Sequence, residues 1–157
     1  FEEVRRRYGV ASELLEFELT ERLAFDSLEL LRSVVDEIHE RGFRCSMDDF
    51  GSGYSSLNVL AKLKIDELKI DQAFLRGMEK GSREERILET IMTLAKDLDI
   101  PTVVEGVETL DHETLVKSLD CGCAQGYLYS KPIPADEFTE KFMKNGGSDY
   151  RFQLTEM

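Results

Sequence analysis

The sequence predicts an α/β fold built from about five βα units in a row. Short apolar runs that are typical of strands alternate with longer segments whose apolar residues recur at helical spacing. This alternation favours parallel strands joined by right-handed crossovers. At 157 residues, the chain has the length of about one domain.

The predicted strands are short runs rich in aliphatic and aromatic residues, each followed by polar or glycine-containing sequence. In chain order they cover 14–20, 43–47, 66–71, 101–106 and 121–127. The fifth is expected to be a short strand within the last of these ranges. Together they provide one strand for each βα unit.

The predicted helices follow the strands in the same order. They cover the segment from Asp26 or Ser27 to Gly42, the segments 55–63, 82–100 and 110–118, and a last segment from Ala135 through Phe138 and Phe142. Asp26 or Ser27 can cap the first of these helices, and Gly42 can close it. Its apolar stripe is Leu28, Leu31, Val34, Val35 and Ile38, and that of 82–100 is Ile87, Ile91, Leu94, Ala95 and Leu98.

Polar residues lie at or just beyond the end of every predicted strand. They are Glu18 and Glu21, Asp48 and Asp49, Lys69 and Asp71, Glu105 and Glu108, and Gln125. Functional sites in parallel α/β folds gather at the carboxyl ends of the strands. The sequence therefore predicts a site at one rim of the sheet, rich in carboxylates and containing one lysine.

This set of side chains suits hard divalent cations. Mg²⁺ and Mn²⁺ prefer oxygen ligands, and no histidine follows any of these strands. Two metals bridged by a carboxylate such as Asp48 are a usual arrangement for phosphodiester hydrolysis. Glu105 can then act as a general base, and Lys69 can hold the attacking water or offset charge on the phosphate.

Each residue also has a purely structural interpretation. An aspartate that ends a strand often forms a turn or caps a helix, and a single lysine often snorkels to solvent. Cys121, Cys123 and His112 could in principle bind zinc, but buried thiols that pack as small apolar groups are the simpler hypothesis.

Composition narrows the classes of partner. A net charge of −12 argues against binding polymeric nucleic acid or an anionic membrane surface. No apolar run reaches the roughly 18 residues that a membrane span requires. Three cysteines form no disulfide framework, so we expect a cytoplasmic setting. The chain begins at Phe1, so we expect it to be a piece of a longer protein.

Five sequence blocks resemble the EAL domain family in order and spacing. They are "ELTE" (18–21), "DDFGSGYSSL" (48–57), "DELKID" (66–71), "VVEGVET" (103–109) and "QGYLYSKPIP" (125–134). The resemblance runs from about 12 to 143, which leaves 144–157 as a C-terminal tail and makes the whole chain, 1–157, a partial domain. It implies the C-terminal part of a modified TIM (β/α)8 barrel.

The family resemblance implies an activity: hydrolysis of cyclic di-GMP to linear pGpG with Mg²⁺ or Mn²⁺ at a two-metal site. By position it implies that Glu18 and Asp48 are metal ligands and that Asp49 serves the second metal and the attacking water. It further implies that Lys69 contacts that water and that Glu105 is the general base.

Two more residues acquire roles from the resemblance. Gln125 is expected on the substrate side, and Glu21 is expected to anchor the loop after "DDFG", a loop associated with dimerisation. The resemblance thus implies a homodimer, and an upstream GGDEF or sensor domain is compatible with it. The chain departs from the family pattern at Gly122, where an Asp is usual, and at Cys123, where an aromatic residue is usual.

Three hypotheses therefore follow from the sequence. The first is a catalytic EAL phosphodiesterase, and the second is a non-catalytic cyclic di-GMP receptor or protein-interaction module on the same scaffold. The third is an unrelated enolising lyase with an acidic rim. The family's Glu-Ala-Leu and Asn ligands are not in this chain, so we expect no hydrolysis by the isolated chain.

Overall fold

The structure is a computed structural model, and it describes residues 1–20, 22–23, 27–51, 57–79 and 81–144. Five parallel strands form one sheet, and their order in the sheet is their order along the chain. The strands are β1 (Glu16–Thr20), β2 (Arg44–Phe50), β3 (Glu67–Ile70), β4 (Thr102–Val104) and β5 (Cys123–Ala124). The predicted α/β fold with parallel strands is confirmed.

Six α-helices accompany the sheet in the described part of the chain. They are α1 (Glu2–Tyr8), α2 (Leu28–Glu40), α3 (Leu57–Lys62), α4 (Arg83–Asp97), α5 (Leu110–Ser118) and α6 (Ala135–Phe138), which continues into a π-helical turn (Thr139–Met143). Short 3-10 turns lie at Ser12–Leu14 and Gln72–Phe74. None of the described helices is long and apolar enough to cross a bilayer.

Side-chain caps fix where the longer helices begin. Ser27 accepts a hydrogen bond from the backbone N–H of Leu30, as one of the two predicted caps of α2 requires. Ser82 and Thr109 cap α4 and α5 in the same way. The other predicted cap of α2, Asp26, lies outside the described residues.

Helix α1 was not predicted from the sequence. It buries no residue, so its sequence shows no apolar stripe from which a helix could be inferred. Local interactions stabilise it instead: Glu2 forms ion pairs with Arg5 at 3.2 Å and Arg6 at 3.1 Å, and Gly9 closes it with φ of +64°.

The buried face of α4 differs from the predicted stripe. Ile91 and Ala95 are buried as expected, but Ile87 and Leu98 are 43% and 44% exposed. Leu88 and Met92 are buried in their place. A helix can bury only part of its circumference. The apolar residues at 87, 88, 91 and 92 are compatible with two overlapping apolar faces, and the sequence alone does not show which of them packs against the sheet.

The second strand is longer than predicted. We expected it to end at Met47, but β2 continues through Asp48, Asp49 and Phe50. Phe50 is fully buried in the core, so its burial extends the strand beyond the two aspartates. The two carboxylates therefore lie within a strand rather than in the loop that follows it.

A polar contact outside the sheet rim joins α2 to β2 and β3. Oδ2 of Asp66 lies 2.8 Å from Nε2 of His39 and accepts a 2.8 Å hydrogen bond from the backbone N–H of Cys45. Burial alone would raise the pKa of Asp66, but the hydrogen bonds from Cys45 and His39 outweigh it and hold this pKa below its ordinary value. The Asp66 carboxylate therefore stabilises the fold.

We expect Asp66→Asn to lower the free energy of unfolding at pH 7 by about 1.5–3 kcal/mol, because it removes an ionised acceptor. A lowered folded pKa means that this stabilisation is complete above the ordinary aspartate pKa of about 4 and is lost as the pH falls through the lower folded value. Denaturant unfolding at pH 7 and pH 3 measures this. Asp36→Asn, an exposed change on α2, is the control. An equal gap between wild type and Asp66→Asn at both pH values would contradict the assignment.

Candidate active site

Strand geometry places the predicted rim residues on one face of the sheet. Ser46 of β2 is in register with Glu18 of β1 and with Glu67 of β3. Asp48 lies two residues after Ser46, and Lys69 lies two residues after Glu67; residues two apart in a strand point to the same face. Glu105 directly follows β4, so it lies at the carboxyl end of the sheet.

Lys69 is the centre of the site. Its Nζ donates a 2.8 Å hydrogen bond to Oε1 of Glu18 and lies 3.0 Å from both Oδ1 of Asp48 and Oε1 of Glu105. These three carboxylates come from β1, β2 and the end of β4. One ammonium group therefore connects three strands, and the lysine is only 8% exposed.

The charge on Lys69 is held by its partners. Burial alone would lower its pKa, but the carboxylates of Glu18, Glu105 and Asp48 outweigh burial and raise the pKa above its usual range. These partners therefore favour the charged form of the side chain, which suits it to holding and neutralising anionic groups rather than to acting as a base.

A backbone irregularity brings both aspartates of β2 to the site. Successive strand residues normally point to opposite faces. Here the pairing between β2 and β3 shifts between Met47 and Phe50, and Asp49 has a left-handed φ of +56°. This bulge turns the second carboxylate, so that oxygens of Asp48, Asp49 and Glu105 all lie within 4.8 Å of one another.

Asp49 is in an electrostatically unfavourable position. Its pKa is raised, first by burial and then by the neighbouring carboxylates of Asp48 and Asp71, with Lys69 opposing the shift. Four carboxylates (Glu18, Asp48, Asp49 and Glu105) face one ammonium group, which leaves three of the four negative charges unbalanced. A site with this surplus attracts cations.

The donor set fits a hard divalent cation. Asp48, Asp49 and Glu105 form the group of three metal-ligating side chains that the described residues bring together. Oδ1 of Asp48 is buried and, although 3.0 Å from the Lys69 ammonium, has no partner in hydrogen-bond geometry among the described residues. Such an oxygen retains capacity for a ligand, and carboxylate oxygens are the ligands that Mg²⁺ and Mn²⁺ favour.

The alternative zinc site receives no support. Cys121, Cys123 and His112 are all described, and they do not form a cluster with ligand atoms this close. His112 instead accepts a 3.4 Å hydrogen bond on Nδ1 from the backbone N–H of Glu108, and the Cys121 thiol donates to the carbonyl of Cys123 at 2.9 Å. These are local structural contacts.

A second polar row was missed by the sequence reasoning. Arg44 lies 3.7 Å from Glu16 and 4.0 Å from Glu67, one level below the Lys69 cluster, and the Ser46 hydroxyl between the two levels is fully buried. The sequence does contain a pattern that indicates this row. Charged residues two apart in one strand, such as Glu16 and Glu18, imply a polar face with more than one row of side chains.

One predicted site residue, Gln125, lies outside this cluster. Gln125 directly follows β5 and is exposed; its backbone N–H donates to Val104 and its carbonyl accepts from Val107, at 2.9 and 3.0 Å. These bonds place it at the rim without joining it to Lys69. Glu21, the predicted loop anchor, lies outside the described residues.

An apolar groove of about 300 Å³ lies elsewhere on the molecule. Phe17, Val34 and Phe43 are among its lining residues. Phe17 adjoins Glu18 in β1 and therefore points to the opposite face of the sheet. The groove takes no part in the carboxylate site.

Comparison with known proteins supports the family assignment. Residues 1–132 match the model of the EAL domain family. Cyclic di-GMP phosphodiesterase NbdA from Pseudomonas aeruginosa is 35% identical over 144 residues, which cover 92% of this chain and 18% of NbdA.

Solved structures show the same fold. "PaMucR Phosphodiesterase, c-di-GMP complex" matches with a TM-score of 0.81 and 32% identity, covering 87% of this chain and 56% of that one. "Klebsiella pneumoniae BlrP1 pH 6 manganese/cy-diGMP complex" matches with a TM-score of 0.76 and 29% identity, covering 81% of this chain and 32% of that one. The five-stranded sheet is thus part of a TIM-barrel-like fold, and the predicted fold class is confirmed.

The matched region is a large share of this chain but a smaller share of each protein that it matches. The chain spans about a fifth of the length of the curated relatives that it matches and a little over half of the MucR structure. The match nevertheless covers most of this chain, in sequence and in structure. The chain is a member of the EAL domain family.

Proposed function

We propose that the protein containing this chain is a metal-dependent phosphodiesterase that hydrolyses cyclic di-GMP to linear pGpG. The observation that carries the proposal is the Lys69 cluster, in which one buried cation and three carboxylates from separate strands meet. NbdA is named as a cyclic di-GMP phosphodiesterase, and the MucR and BlrP1 structures are complexes with cyclic di-GMP.

Glu18, Asp48 and Asp49 are the residues that would hold the metal ions. Their oxygens suit Mg²⁺ and Mn²⁺, and the BlrP1 structure, described as a manganese complex, supports a divalent cation. When bound, such ions neutralise the scissile phosphate and acidify a water. The surplus of negative charge around Lys69 favours their binding.

Glu105 is the proposed general base. Its carboxylate lies at the end of β4, close to both aspartates and 3.0 Å from the Lys69 ammonium. A carboxylate in this position can accept the proton of the attacking water. Lys69 keeps this side chain oriented through their ion pair.

Lys69 has a second proposed role in the reaction. Its ammonium group is fixed by three carboxylates before substrate arrives, so no reorganisation is needed when negative charge develops on the phosphate. It can also contact the attacking water, since the water must lie near Glu105. Its raised pKa, caused by the neighbouring carboxylates, favours the positive charge.

We also propose the assembly and setting of the protein. Gln125, exposed at the same rim, contacts the substrate, and Glu21 anchors the loop after β2 in a homodimer. The much greater length of NbdA supports additional domains, such as an upstream GGDEF or sensor domain. Free thiols at Cys45, Cys121 and Cys123 support a cytoplasmic location.

A turnover assay on the full-length protein tests the proposed function. Purified protein is incubated with cyclic di-GMP and with Mg²⁺, Mn²⁺ or EDTA, and the products are separated by chromatography. We expect pGpG with either metal and none with EDTA. Binding of cyclic di-GMP without turnover in either metal would overturn the enzymatic proposal and favour a receptor.

A further inference from the structure

One short turn contacts the backbone behind both carboxylate-bearing strand ends. The 3-10 turn Gln72–Phe74 follows β3 directly. It contacts Gly106, the residue after Glu105, and Gly51, two residues after Asp49. Both glycines have positive φ, +73° and +95°, and neither has room for a side chain.

The contact with Gly106 is made at the backbone of the turn. A Cβ at Gly106 would overlap Cβ of Gln72 and would lie 3.1 Å from Cα of Gln72. Glu105 itself donates a 3.0 Å backbone hydrogen bond to the carbonyl of Ile70, just before the turn. The position of Glu105 relative to β3 is therefore set by backbone packing on both of its sides.

The contact with Gly51 is made by an aromatic ring. A Cβ at Gly51 would overlap Cε2 of Phe74, so the ring occupies the space beside the glycine. Phe74 also packs against the main hydrophobic core. The backbone N–H of Asp71 donates to the carbonyl of Phe50 at 3.2 Å, which holds the same segment of β2 from the other side.

The turn is itself rigidly held. Oδ1 of Asp71 accepts a 2.6 Å hydrogen bond from the backbone N–H of Ala73, and Leu75 at the end of the turn is 1% exposed. A fixed turn that abuts the ends of β2 and β4, the strands on either side of β3, defines the distance between those two ends. In this molecule that distance separates Asp48 and Asp49 from Glu105.

We propose that Gln72 and Phe74 are positioning residues, which set the spacing between the β2 aspartates and Glu105 by packing against Gly106 and Gly51. The inference rests on the proposed function for its kinetic consequence, but the geometric claim concerns the carboxylate cluster alone. A displacement of about 1 Å in a catalytic group can cost about 100-fold in rate. The role assigned to the turn depends on its contacts with the two strand ends and on no contact with the substrate.

Gly106→Ala in the full-length protein is the direct test, with Gly77→Ala as the matched control. Gly77 has a similar φ of +66°, and no atom of the described residues lies within 4 Å of the position that a methyl group would take, so the control carries the backbone strain without the collision. Gln72→Gly combined with Gly106→Ala removes the Cβ that the new methyl meets. Two readouts apply: steady-state kinetics with cyclic di-GMP, and the Mn²⁺ concentration that gives half of the maximal thermal shift.

We expect Gly106→Ala to lower kcat about 10- to 100-fold with KM within about threefold, and to raise the half-saturating Mn²⁺ concentration at least about fivefold. Gly77→Ala should match wild type in kcat and in the half-saturating Mn²⁺ concentration. The double variant Gln72→Gly/Gly106→Ala should recover part of the lost kcat and part of the lost Mn²⁺ affinity. If Gly106→Ala does not fold, Phe74→Leu and Phe74→Ala replace it, with the larger loss expected for alanine.

Each outcome bears on one claim. If wild type turns over and Gly106→Ala matches Gly77→Ala in kcat and in Mn²⁺ response, the positioning inference is overturned while the function stands. If wild type does not turn over but Gly106→Ala alone weakens the Mn²⁺ response, the positioning inference stands and the proposed function fails. Where Phe74→Leu and Phe74→Ala are used in place of Gly106→Ala, an unchanged Mn²⁺ response in both variants also overturns the positioning inference.

Discussion

Lys69→Met should reduce the turnover of cyclic di-GMP by the full-length protein about 100- to 1,000-fold, because it removes the fixed positive charge at the site. It should also destabilise the fold by about 3–5 kcal/mol, the usual cost of removing one partner from a buried ion pair. Lys69 is 8% exposed and its ammonium has three carboxylate partners, so these carboxylates would be left facing one another.

The loss of stability has a signature that separates it from simple loss of packing. A divalent cation can replace the missing charge between the carboxylates, so Mn²⁺ should raise the melting temperature of Lys69→Met more than that of wild type. Lys64→Met, an exposed change in the loop before β3, is the control and should behave as wild type. An unaltered melting temperature with full turnover in Lys69→Met would show that the cluster is neither structural nor catalytic.

Glu105→Gln should lower kcat about 100- to 10,000-fold while cyclic di-GMP still binds, because an amide cannot accept the proton of the attacking water. The change preserves shape, and Lys69 keeps Glu18 and Asp48 as partners, so the fold should remain stable. Rapid-quench kinetics gives the chemical step, and calorimetry with Ca²⁺ in place of Mg²⁺ gives the nucleotide affinity.

The matched control for this variant is Glu84→Gln, an exposed carboxylate at the start of α4. It removes the same charge from the chain without touching the rim. Full turnover by Glu105→Gln would end the general-base assignment. A loss of nucleotide binding equal to the loss of turnover would instead make Glu105 a binding residue.

The order of strands and the approximate position of the site could be predicted because they depend on local pattern. The αβ alternation and the polar residue after each strand are visible in the sequence, and parallel topology then directs those residues to one rim. Glu18, Asp48, Lys69 and Glu105 do meet there.

The arrangement inside the rim could not be predicted, because it depends on backbone detail. A regular strand would point Asp48 and Asp49 to opposite faces, and only the bulge with its left-handed Asp49 brings both to the cluster. The central position of Lys69 likewise depends on the reach of three side chains from three strands. For the same reason the row formed by Arg44, Glu16 and Glu67 was overlooked.

The identity of strand order and chain order has a consequence for how the site assembles during synthesis. As the chain leaves the ribosome, each of β2 to β5 can pair with the strand synthesised just before it. Pairing among the five described strands therefore needs no segment that is distant in sequence. Glu18 and Asp48 emerge before Lys69, and Glu105 emerges well after it. Two carboxylate partners of Lys69 are therefore synthesised before the lysine itself. Glu105, the proposed proton acceptor, is the last of the four residues to be synthesised.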